Sequence, residues 1–229
     1  MKNINLRLDA KELSCANEAF KSLRANVQFC GTDVKAIVIT SCLTNDGKST
    51  ISLGLGVALA QAGKKVLMVD ADLRKSVMLT TYSDEVGVVG FSEFLSGQAS
   101  LADVKFSTQI NGLEIIFSGQ YPANPAELLS SSALKGFIDE QKANYDYIII
   151  DTPPLGVVVD AAVVASICDS AILVIPEGKI KAELARNVKS QLEKSGAHII
   201  GTVLNKHHKK GKRYGYYGYI GYYGSYGKY

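Results

Sequence analysis

Lys35-Ala-Ile-Val-Ile-Thr40 runs into Ser41-Cys-Leu-Thr44-Asn-Asp-Gly47-Lys48-Ser49-Thr50, and then into Ile51-Ser-Leu-Gly-Leu-Gly-Val-Ala-Leu-Ala60. The first piece is a short β-branched run that reads as a buried strand. The last is an apolar helix from about Lys48 to Ala62, closed by Gly63 as a left-handed cap. Between them a tight turn ends in Gly-Lys-Ser. Strand, turn and helix in that order are the setting a phosphate-binding loop requires. Backbone N–H groups at the helix start, with the helix dipole behind them, attract an anion. Thr44, Asn45, Asp46, Gly47, Lys48, Ser49 and Thr50 are thus assigned to a nucleotide's phosphates. Lys48 adds a point charge for the β and γ oxygens, and the Ser49 hydroxyl is a Mg²⁺ ligand. The loop's usual first glycine falls at Cys42, which puts a thiol near the phosphates and leaves two readings open: a thiol whose alkylation or oxidation blocks nucleotide binding, or a small residue that fills space.

Two further apolar runs end in aspartate, Val66-Leu-Met-Val-Asp70 and Tyr147-Ile-Ile-Ile-Asp151. Acids at the carboxyl ends of parallel strands supply a metal ligand and orient its waters. Asp70 is followed by Asp72, and two carboxylates two residues apart can divide labour, one as base and one toward the metal. Working outward, strands are expected at about 113–117, 170–175 and 198–204. Helices are expected at about 12–29, 90–96, 125–143 (a pair), 160–167 and 180–194, with 71–90 as loop. Alternating strands and helices with continuous apolar strands predict an α/β fold: a mostly parallel central sheet covered by helices on both faces, of the P-loop NTPase class.

The chain has 229 residues and a net charge of +3. That figure hides an asymmetry. Residues 206–229 hold six Lys/Arg and no acid, which leaves 19 basic against 22 acidic residues in the body. An acidic body argues against nucleic-acid binding. The basic run 207–213 suits a solvated linker, anionic lipid or an acidic partner. Cys15, Cys30, Cys42 and Cys168 show no metal or disulfide spacing, and no leader precedes them, so reduced cytoplasmic thiols are expected. The longest apolar stretch, 156–176, is interrupted by Asp160 and Asp169 and reads as loop, helix and strand, not as a membrane span. The body is expected to span 1–205 and a disordered tail 206–229. That tail carries eight of the twelve tyrosines, at Tyr214, Tyr216, Tyr217, Tyr219, Tyr222, Tyr223, Tyr226 and Tyr229, interleaved with glycine.

Thr44–Thr50, then Val-Asp70-Ala-Asp72-Leu-Arg74-Lys75, then Ile-Ile-Asp151-Thr-Pro-Pro154, then the tyrosine cluster, resemble the bacterial tyrosine kinases of capsule and exopolysaccharide synthesis, over essentially the whole chain. The resemblance implies an ATP- and Mg²⁺-dependent protein-tyrosine autokinase of the split type, a separate cytoplasmic chain activated by the cytoplasmic tail of a membrane partner of the chain-length-determinant type. By the same resemblance Lys48, Asp70, Asp72 and Asp151 are catalytic, and Ser49, Asp72 and Asp151 hold the metal. It further implies a ring-shaped homo-oligomer, a cognate tyrosine phosphatase and a peripheral position at the inner face of the membrane. The family's E-x-x-R-x-x-R interface motif corresponds to Glu18, Lys21 and Arg24 within an N-terminal interface helix over 10–30, with lysine in place of the first arginine.

The tail suits that chemistry. A glycine-rich tether of about 20 residues spans roughly 25 Å on average and reaches about 70 Å when stretched. It delivers acceptor phenols at on the order of millimolar effective concentration. Each phosphate added brings about −1.5 to −2 of charge, so a few would overturn the basic tail. The alternative is a partition- or division-site-type ATPase switch without kinase activity. Those proteins carry a signature lysine where this loop has Leu43, and they lack a tyrosine tail.

Overall fold

The computed structural model describes residues 2–8 and 10–207. The elements follow in order: β1 (Lys2–Ile4), α1 (Ala10–Phe29), β2 (Ala36–Ser41), α2 (Lys48–Gln61), β3 (Val66–Asp70), α3 (Met78–Tyr82), α4 (Phe91–Leu95), α5 (Leu101–Val104), β4 (Lys105–Thr108), β5 (Leu113–Ile116), α6 (Pro125–Leu129), α7 (Ser132–Asn144), β6 (Tyr147–Asp151), α8 (Asp160–Ala165), β7 (Ser170–Pro176), α9 (Ala182–Lys194) and β8 (Ile199–Asn205). The eight strands form one sheet in the order β1-β4-β5-β3-β6-β2-β7-β8. All neighbours are parallel except β4 and β5, so β1 and β4 run against the other six.

The strands read as unbroken apolar runs because both sheet faces are covered. Alternate residues enter two separate layers. Val38, Leu67, Val69, Ile148 and Ile150 pack on one face, and Ile37, Ile39, Met68, Val66 and Ile149 on the other. Helix α2 is buried along most of its length. A Cβ at Gly54 would lie 2.1 Å from the Phe20 ring, so glycine there lets α1 close onto α2.

The α/β expectation holds, with differences at the periphery. The segment read as loop, 71–90, contains α3. Strands β1 and β4 and helix α5 were not anticipated. They are three or four residues long, too short for either periodicity to register. No helix among the described residues is long and apolar enough to cross a membrane. The eight tail tyrosines lie outside the described residues.

Candidate active site

Register brings the site together. Asp70 at the end of β3 pairs directly with Asp151 at the end of β6, and Asp151 in turn pairs with Ile39 of β2. Both aspartates therefore stand beside the loop that leaves β2. In that loop Asn45 and Gly47 take left-handed backbone angles, φ 61° and 94°. Gly47 is doubly constrained, because an added Cβ would also lie 2.1 Å from the Asn205 side chain. The first helical bond of α2 joins the Ile51 N–H to the Gly47 carbonyl. The amides of Lys48, Ser49 and Thr50 thus precede the ladder and face out of the helix end.

Three contacts brace the turn. The Asp46 carboxylate accepts from the Leu43 N–H at 2.8 Å. The Asn205 amide donates to the Asp46 carbonyl at 2.8 Å, and the Lys206 ammonium donates to the Asn45 carbonyl. The end of β8 is thereby stapled to the phosphate loop, a link that sequence could not show because the two segments lie far apart in the chain. Thr44 and Asn45 are exposed at its rim, and exposed Thr50 accepts from the Tyr82 hydroxyl at 3.1 Å.

Lys48 turns back over the sheet end. Its ammonium lies 3.0 Å from Asp72 and 3.6 Å from Asp151. Ser49 donates to one oxygen of Asp151 at 2.6 Å, and Ser52 to the other at 3.0 Å. Ser52, one turn beyond Ser49 on the same helix face, was missed in the sequence; its spacing on α2 was the available signal. Asp70 is fully buried and accepts from the Ser76 hydroxyl and, at 3.2 Å, from the Asp72 N–H. Arg74 grips buried Asp160 through two bonds, 2.7 and 3.0 Å, tying the strand-end loop to α8.

The charges do not balance. Asp70, Asp72 and Asp151 converge on Lys48. Burial pushes the Asp70 carboxyl up to about 7, with the like charge of Asp151 adding to it. Burial also raises Asp151 against the pull of Lys48, Ser49 and Ser52. For Lys48 burial works against the charge, but Asp151 and Asp72 together outweigh it and the ammonium is held above its ordinary range. This surplus of negative oxygen suits a hard divalent cation. Among the described residues no three His, Cys, Asp or Glu side chains form a metal cage by themselves. That fits Mg²⁺, which binds through one or two carboxylates and completes its shell with water and phosphate.

For Cys42 the structure favours the space-filling reading. Its side chain is fully buried in the apolar layer with Val38, Ala71 and Leu155. Burial, then the nearby Asp46 charge, pushes the thiol up to about 11, so it fills space and is a poor nucleophile. On α1, Glu18 and Lys21 are exposed and paired at 2.8 Å, whereas Arg24 leans inward and donates to the Ala58 carbonyl at 3.2 Å. The sequence-predicted stripe is thus two exposed charges and one that braces α1 on α2.

Comparison with known proteins agrees with this geometry. Residues 34–194 match a family model described as an AAA domain. The chain is 43% identical over 198 residues to the tyrosine-protein kinase CpsD of Streptococcus agalactiae, covering 86% of each. It superposes on the crystal structure of the chimerical protein CapA2B2 with a TM-score of 0.80 at 32% identity, covering 89% of this chain and 93% of that one. The septum site-determining protein MinD of Pyrococcus horikoshii, complexed with Mg-ADP, is more distant, with a TM-score of 0.62 at 28% identity, covering 74% of this chain and 69% of that one. Identity spread over six-sevenths of the length, on a site with this lysine and these strand-end acids, places the chain in the family of bacterial tyrosine-protein kinases.

Proposed function

We propose that this chain is an autokinase that transfers the γ-phosphoryl group of ATP to the phenols of its own residues 214–229. The observation that carries the reading is Lys48 held between Asp72 and Asp151 at the mouth of the phosphate loop, in a chain whose C-terminus holds eight tyrosines. Phosphoryl transfer is largely positioning and charge neutralisation. The amides of Gly47 to Thr50 and the Lys48 ammonium hold the β and γ oxygens. Ser49, Asp72 and Asp151 would hold Mg²⁺, which when bound neutralises charge on those same oxygens. The phenol oxygen forms the new bond to phosphorus, the bond between phosphorus and the β,γ-bridging oxygen breaks, and ADP leaves. The phenolic proton goes to the Asp70–Asp72 pair, two carboxylates at the end of β3 beside the phosphate loop. Ser52 and Ser49 orient Asp151, and Arg74 fixes the loop that carries Asp72.

In this reading the chain works in capsule or exopolysaccharide synthesis at the inner face of the membrane. It is held there by the cytoplasmic tail of a membrane activator, assembles as a homo-oligomer through Glu18, Lys21 and Arg24, and is reset by a tyrosine phosphatase. Each tail phosphate adds about −1.5 to −2 of charge and loosens the assembly by repulsion. Support comes from the family and from the exposure of Glu18 and Lys21. The test is to incubate the purified full chain with Mg-ATP, with and without the activator's cytoplasmic segment, and to map phosphotyrosine. Labelling within 214–229 that disappears in Lys48→Met is the expected result. ATP hydrolysis without any labelled tyrosine, even beside the activator, would instead identify a nucleotide switch of the division-site kind.

A further inference from the structure

A cleft of ≈ 610 Å³ opens away from the phosphate loop, and it is larger than the ≈ 350 Å³ groove between α1, α2 and β8 that borders the loop. It lies at the opposite edge of the sheet, where Leu113 begins β5 and pairs with Val66 at the start of β3. One wall is the β4–β5 hairpin and the other is the carboxyl-terminal turn of α7. Ser107 stands opposite Glu114 across the antiparallel pair, so both side chains share a face, and Lys105 joins them two residues away. Lys105 bridges to Glu114 at 3.2 Å and donates to the Tyr145 hydroxyl at 3.0 Å; that hydroxyl in turn donates to Glu114. The wall is therefore already ordered.

Gln141 also lines this cleft. It is 1% exposed, and its side-chain nitrogen has no hydrogen-bond partner among the described residues. A buried amide left unpaired is unfavourable, and an acceptor from outside would relieve it. The surrounding charge narrows the ligand. Lys65 and Lys105 are balanced by Glu114 and Glu140. The helix end presented here is the negative one, at Asn144, so phosphates and nucleotides are disfavoured. The two lysines disfavour cations. Amides and hydroxyls at Ser107, Asn111 and Asn144 offer both donors and acceptors, beside apolar Leu101 and Ile110.

We propose that this cleft is a second binding site, for a neutral polyhydroxylated ligand of mono- to disaccharide size. A ligand hydroxyl oxygen accepts from the Gln141 carboxamide, and ligand hydroxyls donate to Glu114 and Glu140, whose carboxylates have lone pairs to spare. The volume falls within the range of small-molecule sites. The site is separate from the nucleotide end and does not depend on the kinase reading.

The test titrates the full chain with N-acetylglucosamine, maltose and sucrose by calorimetry and saturation-transfer NMR, with glucuronate and glucosamine as charged comparators. Saturable binding of at least one neutral sugar is expected, unaffected by ATP and retained in Lys48→Met. Gln141→Leu and the surface change Asn144→Ala should each weaken it by about fivefold or more. Asn144→Ala keeps the test valid if Gln141→Leu destabilises the fold. No saturation by any neutral sugar at about 50 mM, equal binding by the charged comparators, or undiminished binding in Asn144→Ala would each overturn the proposal.

Discussion

The two edges of the parallel sheet use the same residue types to opposite ends. At the amino-terminal edge Asp169, just before β7, accepts from the Lys35 and Ala36 N–H groups at 3.0 and 2.8 Å and from Lys142 at 2.6 Å. Partial burial works against its charge, but Lys142 and the two amides outweigh that, and the carboxyl is held below its usual range. Asp146 makes a similar clamp on the Lys65 N–H at 2.8 Å. At the carboxyl-terminal edge Asp70 and Asp151 are fully buried, each meets two neutral donors and has no cation to itself, and burial pushes both up. A carboxylate whose lone pairs are met within the chain is a fastener. Carboxylates that share one lysine are left wanting a cation, and that surplus is what a nucleotide–metal site needs.

The comparison breaks most directly at Lys48. Lys48→Met removes the ammonium that Asp72 and Asp151 share and that the phosphates would use. Loss of one preorganised charge at such a site lowers the transfer rate by about 10²- to 10³-fold. A rate within a factor of about three of wild type, measured by phosphotyrosine accumulation on the full chain, would mean that the loop is not the catalytic site. The amino edge should answer differently. Asp169→Ala leaves the buried Ala36 N–H and the Lys142 ammonium without their partner, at a cost of about 2 kcal/mol in urea unfolding, with the KM for ATP unchanged. Because the folded pKa of Asp169 is depressed, its contribution is present above the unfolded value and is lost as pH falls through the folded one. The deficit of Asp169→Ala should therefore shrink in acid.

How much of this was legible follows from range in sequence. The phosphate loop, β2, β3 and β6 were readable because each is a local pattern: a β-branched run, then a turn or a strand-end acid. The pairing of Asp70 with Asp151 was foreseeable only as a consequence of parallel topology. The staple from Asn205 and Lys206 to the loop carbonyls was hidden, since it joins residues about 160 apart. So was the Arg74–Asp160 grip, because Asp160 sits in an apolar stretch and looked like a mere interruption of it. The role of Cys42 stayed open for a related reason: its loop position was legible, but which way the side chain points depends on the path of β2 and on Gly156, whose close approach to the Cys42 carbonyl leaves no room for a Cβ. At the far edge β1 and β4 were invisible as short segments, although β4 carries Lys105 of the second cleft.

The pH dependence of Asp70 is the sharpest test of the contrast between the edges, because it has the opposite sign to that of Asp169. Asp70 in the folded chain titrates at about 7, against about 3.9 for an unfolded aspartate. Between those values the folded state holds more protons than the unfolded one, so stability falls as pH rises. The contribution is full below the unfolded value and gone once pH has passed the folded one. Asp70→Asn removes this titration; its amide oxygen keeps the bond from the Asp72 N–H, and its NH2 donates to the Ser76 hydroxyl oxygen where the second carboxylate oxygen accepted. Urea unfolding of both proteins without nucleotide, from pH 5 to 8, should show the variant gaining on wild type by up to about 1.4 kcal/mol per pH unit and then running parallel to it. Mg-ATP should flatten the wild-type slope, since a bound cation restores the charged carboxylate. Parallel curves from pH 5 upward would mean that Asp70 is already ionised and matched, and that the carboxyl edge is as satisfied as the amino edge.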